Sequence, residues 1–227
     1  MVNVAMDGPV GAGKSSVARE CARRLGFIYV DTGALYRSCA LFCVRKGIEI
    51  NEKNESAIAD VLEKELRLTM DLIDGQQHVY VNGEDVSYEI RTMEISKAAS
   101  AISALPAVRK YLLETQRSIA ASNNVIMDGR DIGTVILPNA DLKIFITAKP
   151  EILAKRRYDE LVARGSNVTL GEVLVEVNRR DYNDTHRKEA PLKQAEDAIL
   201  IDTSEIDFEE TVSGITELIQ SRCDPEA

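Results

Sequence analysis

Eight residues near the N-terminus have the types and spacing to do chemistry: Gly8-Pro9-Val10-Gly11-Ala12-Gly13-Lys14-Ser15. They match G-x-x-x-x-G-K-[ST] in full. Glycines let a backbone wrap an anion without Cβ clashes. The exposed N–H groups, backed by a helix N-terminus, then face negative charge. Lys14 can bridge the β- and γ-phosphates of a nucleotide and Ser15 can ligate Mg2+. Ser16 completes the nucleotide-binding set. Asp128 is the second candidate. It ends the apolar run Val125-Ile126-Met127, where a metal-associated carboxylate acts directly or through water. A plain turn or cap role is the alternative.

Two further clusters point to phosphoryl transfer rather than storage of a nucleotide. Asp31-Thr32-Gly33-Ala34-Leu35-Tyr36-Arg37 follows the second apolar run. An arginine-rich stretch holds Arg156-Arg157, Arg164, Arg179-Arg180 and Arg187. Several guanidiniums on one mobile segment can close over transferring phosphates. Such runs also form solvated helix surfaces, and that reading suits Arg164. A lid role suits Arg180 and Arg187, which stand near Asp181 and Asp184. No N-K-x-D guanine signature is present. A small-molecule kinase and a non-enzymatic nucleotide sensor both remain open on these residues.

The elements that must position these groups read as α/β. Five apolar runs suggest buried parallel strands: Val2–Met6, Phe27–Val30, Val125–Met127, Leu142–Thr147 and Ala198–Ile201. Helical patterns lie between them, at Ser16–Leu25 with Gly26 as a stop, at Ala34–Lys46, and from Pro106 towards Asn123-Asn124. Thr169 to Glu172 and Asp207 to Glu210 resemble capping boxes. Leu66–Ile73 and His78–Val81 flank the hairpin signal Asp74-Gly75, and Asn82-Gly83 offers a second turn. The expectation is a P-loop three-layer fold with a five-stranded parallel sheet, a small antiparallel β insert and a helical lid. The expected core is 1–30, 104–154 and 188–227. The intervening region is 31–103 with its insert near 65–90, and the lid is 155–187.

The 227 residues suit one large domain or a core with an insert. A net charge of -9 argues against binding a nucleic-acid polymer, while a local Arg and Lys cluster still admits a small phosphorylated ligand. Cys21, Cys39, Cys43 and Cys223 form no C-x-x-C pair and read as core thiols of a reducing cytoplasm. The N-terminus does not read as a signal peptide, and no apolar run approaches a membrane span. The tail Cys223–Ala227 is expected to fray.

Over nearly its full length the chain resembles the bacterial cytidylate kinases. The resemblance is carried by Asp7-Gly8-Pro9 entering the loop, Asp31 to Arg37, Glu89-Ile90-Arg91-Thr92, Pro106-Ala107-Val108-Arg109, Asp128-Gly129-Arg130-Asp131-Ile132-Gly133-Thr134, Arg179-Arg180-Asp181 and Ala190-Pro191-Leu192. It implies an ATP- and Mg2+-dependent kinase for CMP or dCMP, expected as a monomer. Thr32 and Tyr36 would line the monophosphate site, with Arg37 near its phosphate. Ser100, Arg109 and Asp131 would read the cytosine edge. Arg130 would touch the acceptor nucleotide and Asp184 its sugar. Arg180 and Arg187 would hold phosphates from the lid, and Arg157 would lie near ATP. Tyr182 and His186 receive no role. Cytosine offers an N4 amino donor beside the N3 and O2 acceptors, so Asp131 can accept from N4 while Ser100 and Arg109 donate. An Arg109–Asp131 salt bridge is the plainer alternative. UMP and AMP are the rival acceptors.

Overall fold

A computed structural model describes residues 1–73, 76–163 and 165–223. The Asp74-Gly75 turn signal, Arg164 and tail residues 224–227 lie outside the described residues. The chain divides into two compact units, Met1–Tyr29 with Ser122–Ala227, and Val30–Ala121. In chain order the first elements are β1 (Asn3–Asp7), α1 (Lys14–Leu25), β2 (Ile28–Asp31), α2 (Thr32–Arg45) and α3 (Glu55–Glu65). They are followed by β3 (Leu68–Ile73), β4 (Gln76–Val81), β5 (Glu84–Asp85), α4 (Met93–Ile102) and α5 (Pro106–Ser122). The last are β6 (Val125–Gly129), β7 (Leu142–Thr147), α6 (Pro150–Ala163), α7 (Leu170–His186), β8 (Ile199–Asp202) and α8 (Phe208–Cys223).

A five-stranded sheet in the order β2-β6-β1-β7-β8 organises the first unit. β1 is its middle strand. It runs parallel to β6 and β7, with Met6 opposite Asp128 and Asp7 opposite both Gly129 and Phe145. Val4, Ala5, Met6, Val125, Ile126 and Met127 are wholly buried, which is why these strands read as unbroken apolar runs. β8 departs from the expectation of a buried strand. It lies at the sheet edge and leaves Leu200 54% exposed. Helix ends follow their local chemistry. Gly26 closes α1 at φ 67°, Thr169 and Glu172 form a reciprocal cap on α7, and Asp207 and Glu210 exchange backbone-to-carboxylate bonds of 3.0 and 2.8 Å.

The second unit packs α2, α3, α4 and α5 around Leu35, Cys39, Ile58, Leu62, Ile90, Ile102 and Leu112. Its antiparallel insert pairs β3 with β4 in the register Leu68–Val81 to Ile73–Gln76, and β4 with β5. Asn82 and Gly83, at φ 53° and 85°, turn between those last two strands, as Asn-Gly does in a tight hairpin. The unit includes α5 as far as Ala121. Residues 155–187 lie within the first unit.

Candidate active site

The loop after β1 is held to a glycine-only path by carbonyls beneath it. Gly8 has φ 147°, and a Cβ there would lie 2.0 Å from the Ile146 carbonyl oxygen. Gly11 has φ 79°, and its Cβ would lie 2.4 Å from the Leu153 oxygen. Ala12 is buried beside them. Gly13 then caps α1 in the left-handed region, so the helix N-terminus opens onto the loop. Lys14 is 5% exposed, and its Nζ donates to the Pro9 carbonyl at 2.6 Å. Burial, and next the neighbouring Arg130 guanidinium, push its ammonium down to about 7, against the pull of Asp128, Asp181 and Asp7. Asp7 closes the strand end. Its two oxygens accept the Ile132 and Gly133 N–H groups, each at 2.8 Å. Those donors open the π-helical turn Ile132–Ile136. Burial holds the Asp7 carboxyl up at about 6 despite these two donors.

Ser15 and Asp128 come together across the sheet edge. The Ser15 hydroxyl donates to Asp128 Oδ2 at 2.7 Å, and the Tyr29 hydroxyl donates to Oδ1 at 3.0 Å. Adjacent strand ends and the first turn of α1 produce this contact. The donor set of one hydroxyl and one carboxylate is all oxygen, which fits a hard divalent ion. Mg2+ binds through one or two carboxylates and takes its remaining oxygens from phosphates and water. Among the described residues no group of three or more His, Cys, Asp and Glu is placed to hold a metal alone.

Charged side chains from the far end of the chain gather in the same unit. Asp184, on α7 and 5% exposed, accepts from Arg130 Nε at 2.9 Å. Its burial disfavours ionisation, but Arg130, Arg180 and Arg187 more than compensate and hold the carboxyl below its ordinary range. Arg187 donates to Asp131 Oδ1 at 3.0 Å and to the Ala190 carbonyl at 2.7 Å. The Asp184 carbonyl accepts the Leu192 N–H at 2.7 Å. This fastens the Ala190-Pro191-Leu192 turn back onto α7. Asp181 Oδ1 accepts the Val10 N–H of the loop at 3.1 Å, and burial raises its carboxyl above the usual range.

The second unit holds a smaller cluster. Asp31 caps α2 through the Ala34 N–H at 2.9 Å, while its other oxygen accepts from Arg37 at 2.8 Å. Arg91 stands 3.8 Å from the same oxygen. Burial disfavours ionisation of Asp31, and the two guanidiniums with the Ala34 N–H hold the carboxyl below its ordinary range nonetheless. A Cβ on Gly33 would meet Arg37 Nη1 at 3.0 Å, so the glycine lets that guanidinium fold back. Thr32 is buried at the head of α2. The Arg109 guanidinium lies 5.6 Å from the centre of the Tyr36 ring and donates to the Ser103 carbonyl at 3.1 Å. The Ser103 hydroxyl in turn donates to the Ser100 carbonyl at 3.0 Å.

The candidate residues thus fall into two groups. Gly8 to Ser15, Asp128, Arg130, Asp131, Asp184 and Arg187 form one polar assembly in the first unit, with Arg180 contributing charge to Asp184. Thr32, Tyr36, Arg37, Ser100 and Arg109 belong to the second unit. Ser16 is exposed on the first turn of α1. Arg157 pairs with Glu160 at 2.6 Å on α6 rather than with the loop. The geometry adds residues that sequence reasoning gave no role. Asp7 binds the Ile132 and Gly133 N–H groups, Tyr29 binds Asp128, Asp181 binds the loop, and Arg91 joins Arg37 beside Asp31. Asp7, Arg91 and Asp181 stood inside quoted motifs, whereas Tyr29 carried no local signal.

An anion-cradling loop at the tip of the middle strand, a Ser–Asp pair beside it and arginines gathered on the buried Asp184 define the class: a P-loop phosphotransferase. The chain belongs to the cytidylate kinase family, whose profile matches residues 4–221. It is 44% identical over 224 residues to a cytidylate kinase of Lactobacillus johnsonii, covering 98% of this chain and 95% of that one. It is 47% identical over 220 residues to one of Caldanaerobacter subterraneus subsp. tengcongensis, covering 96% and 95%. The fold also matches the crystal structure of an uncharacterized protein from Eubacterium ventriosum, with TM-score 0.50 and 13% identity over 98% of this chain and 100% of that one. The protein is a nucleoside monophosphate kinase. Among its described residues no helix is long and apolar enough to cross a membrane.

Proposed function

We propose that this enzyme transfers the γ-phosphate of ATP to CMP or dCMP, giving ADP and CDP or dCDP, in the cytoplasm. The observation that carries the transfer chemistry is the Ser15–Asp128 contact of 2.7 Å beside a buried Lys14, with Arg130 held by Asp184 in the same unit. The family supports the acceptor. Backbone N–H groups of Gly11 to Ser15 cradle the polyphosphate, and its charge favours the protonated form of Lys14. When bound at Ser15 and Asp128, Mg2+ supplies charge neutralisation and orientation of the phosphates.

Residues 31–103 hold the acceptor, with Thr32 and Tyr36 lining its site and Arg37 taking its phosphate. Ser100 and Arg109 donate to the cytosine ring acceptors, and Asp131, oriented by Arg187, accepts from N4. Asp184 orients the sugar and Arg157 stands on the ATP side. Residues 155–187 act as the lid, so Arg180 and Arg187 reach the transferring group with Arg130. An acceptor phosphate oxygen attacks in line, and little base help is needed because a phosphate monoester is largely ionised near neutral pH. Positioning and charge neutralisation do the rest, arginine being worth about 10³–10⁵ in rate at such a transition state.

The test is ADP release with CMP, dCMP, UMP and AMP, for the native chain and for Asp131→Ala. We expect CMP or dCMP to be the best acceptor and the variant to lose far more kcat/KM on CMP than on UMP. A uracil carbonyl faces the Asp131 carboxylate with no proton between them, a mismatch worth about 1–3 kcal/mol when buried. Equal losses on the two acceptors would remove Asp131 from base reading. ATP binding with no acceptor-dependent ADP release would replace the kinase with a nucleotide sensor.

A further inference from the structure

Asp128 is held by two hydroxyls, one on each oxygen. Ser15 reaches Oδ2 at 2.7 Å and Tyr29 reaches Oδ1 at 3.0 Å. The Tyr29 side chain is 4% exposed. It occupies a position of β2 where an aliphatic residue would fill the core without polar cost. A buried hydroxyl costs about 1–3 kcal/mol when it lacks a partner, and Asp128 partners this one. The Arg19 guanidinium lies 5.5 Å from the centre of the ring and packs on its face.

We propose that Tyr29 is a positioning residue for the divalent cation, acting through Asp128. The reading of Asp128 and Ser15 as cation partners underlies this inference. By fixing Oδ1, the phenol sets the rotation of the carboxylate and turns Oδ2 towards Ser15. Ser15 then donates its hydrogen bond to Oδ2 and keeps its lone pairs for the cation. Without the phenol the carboxylate loses its restraint at Oδ1, and both cation partners are less well oriented. Outer hydrogen-bond partners of this kind are worth about 10–100-fold in metal affinity. The effect is on coupling between cation and nucleotide, not on the nucleotide itself.

The experiment is calorimetric titration of ADP into the native protein, Tyr29→Phe and Asp128→Asn, each with and without Mg2+. The ratio of the two ADP affinities measures the coupling. For Tyr29→Phe we expect metal-free ADP affinity to equal the native value and the ratio to fall by about tenfold or more. Saturating Mg2+ should restore most of kcat. For Asp128→Asn the ratio should collapse. An unchanged ratio in Tyr29→Phe, with collapse in Asp128→Asn, overturns the role of the phenol and leaves the cation site standing. An unchanged ratio in Asp128→Asn removes the cation site and the inference with it. Loss of metal-free ADP binding in Tyr29→Phe shows a merely structural phenol and also overturns the proposal.

Discussion

Gly11→Ala separates the shape of the phosphate loop from the general cost of a left-handed residue. Gly11 sits at φ 79°, and the added Cβ would stand 2.4 Å from the Leu153 carbonyl oxygen. That neighbour is backbone of α6, not the end of a flexible side chain. Reaching an ordinary contact of 3.4 Å requires loop and helix to separate by roughly 1 Å, and a displacement of that size at a reacting centre can cost about 10²-fold in rate. Left-handed backbone itself costs an alanine about 1–2 kcal/mol. Gly26→Ala is the matched control, because Gly26 has φ 67° and nothing within 4 Å of its added Cβ. Both variants should lose stability from the backbone, about 2–4 °C in Tm per kcal/mol for a chain of this size. Gly11→Ala alone should lose about 100-fold in kcat/KM, equivalent to about 2.7 kcal/mol of transition-state binding. The measurements are thermal unfolding and steady-state ADP release on the same preparations. Gly11→Ala within about threefold of native kcat/KM would refute the argument that the close carbonyl sets the working shape of the loop. A matching loss in Gly26→Ala would refute it equally, by tracing the effect to stability.

Asp184→Asn leaves Arg130, Arg180 and Arg187 without their shared buried carboxylate, and breaking such an arrangement costs about 3–5 kcal/mol. Tm should fall sharply without ligand and recover more than the native protein does when ATP and CMP supply negative charge; an equal ligand-induced shift in both would count against the arginines meeting phosphate. Asp7 should make the native protein less stable as pH rises from about 4 to about 6. Its folded carboxyl stands at about 6 against the ordinary 3.8, so the folded state holds the extra proton in that window. The stability advantage of the native chain over Asp7→Asn should therefore shrink by about 2 kcal/mol between pH 4 and 7, as denaturant unfolding at each pH would report. A constant difference would show that burial does not raise this carboxyl.

Much of the framework was legible locally. The sheet strands announced themselves as apolar runs, but β1, β2 and β8 each continue one residue further, to Asp7, Asp31 and Asp202. The hydrogen-bond ladder does not end where apolar side chains end. Both capping boxes and the Asn82-Gly83 turn were readable because each is complete within four residues. α3 was not seen. Ile58, Val61 and Leu62 do stand at helical spacing, but one such turn in a helix of 11 residues is a short period to read. Inside the first unit Arg187 donates to Asp131, a pairing that could not be read from the sequence. Opposite charges in a sequence do not choose partners until the chain turns back at Ala190.

By itself the sequence determined the anion loop, the alternation of strands and helices, the antiparallel insert and the family. These rest on backbone geometry and on side-chain periods, which act between near neighbours in the chain. Tertiary structure alone decided which groups meet: Ser15 with Asp128 across 113 residues, Tyr29 with Asp128 across 99, and Val10 with Asp181 across 171. No local period encodes such contacts. The first two exist because parallel strands bring their C-terminal ends to one edge, and the third because α7 returns to the loop; burial there forces each polar group to find a partner.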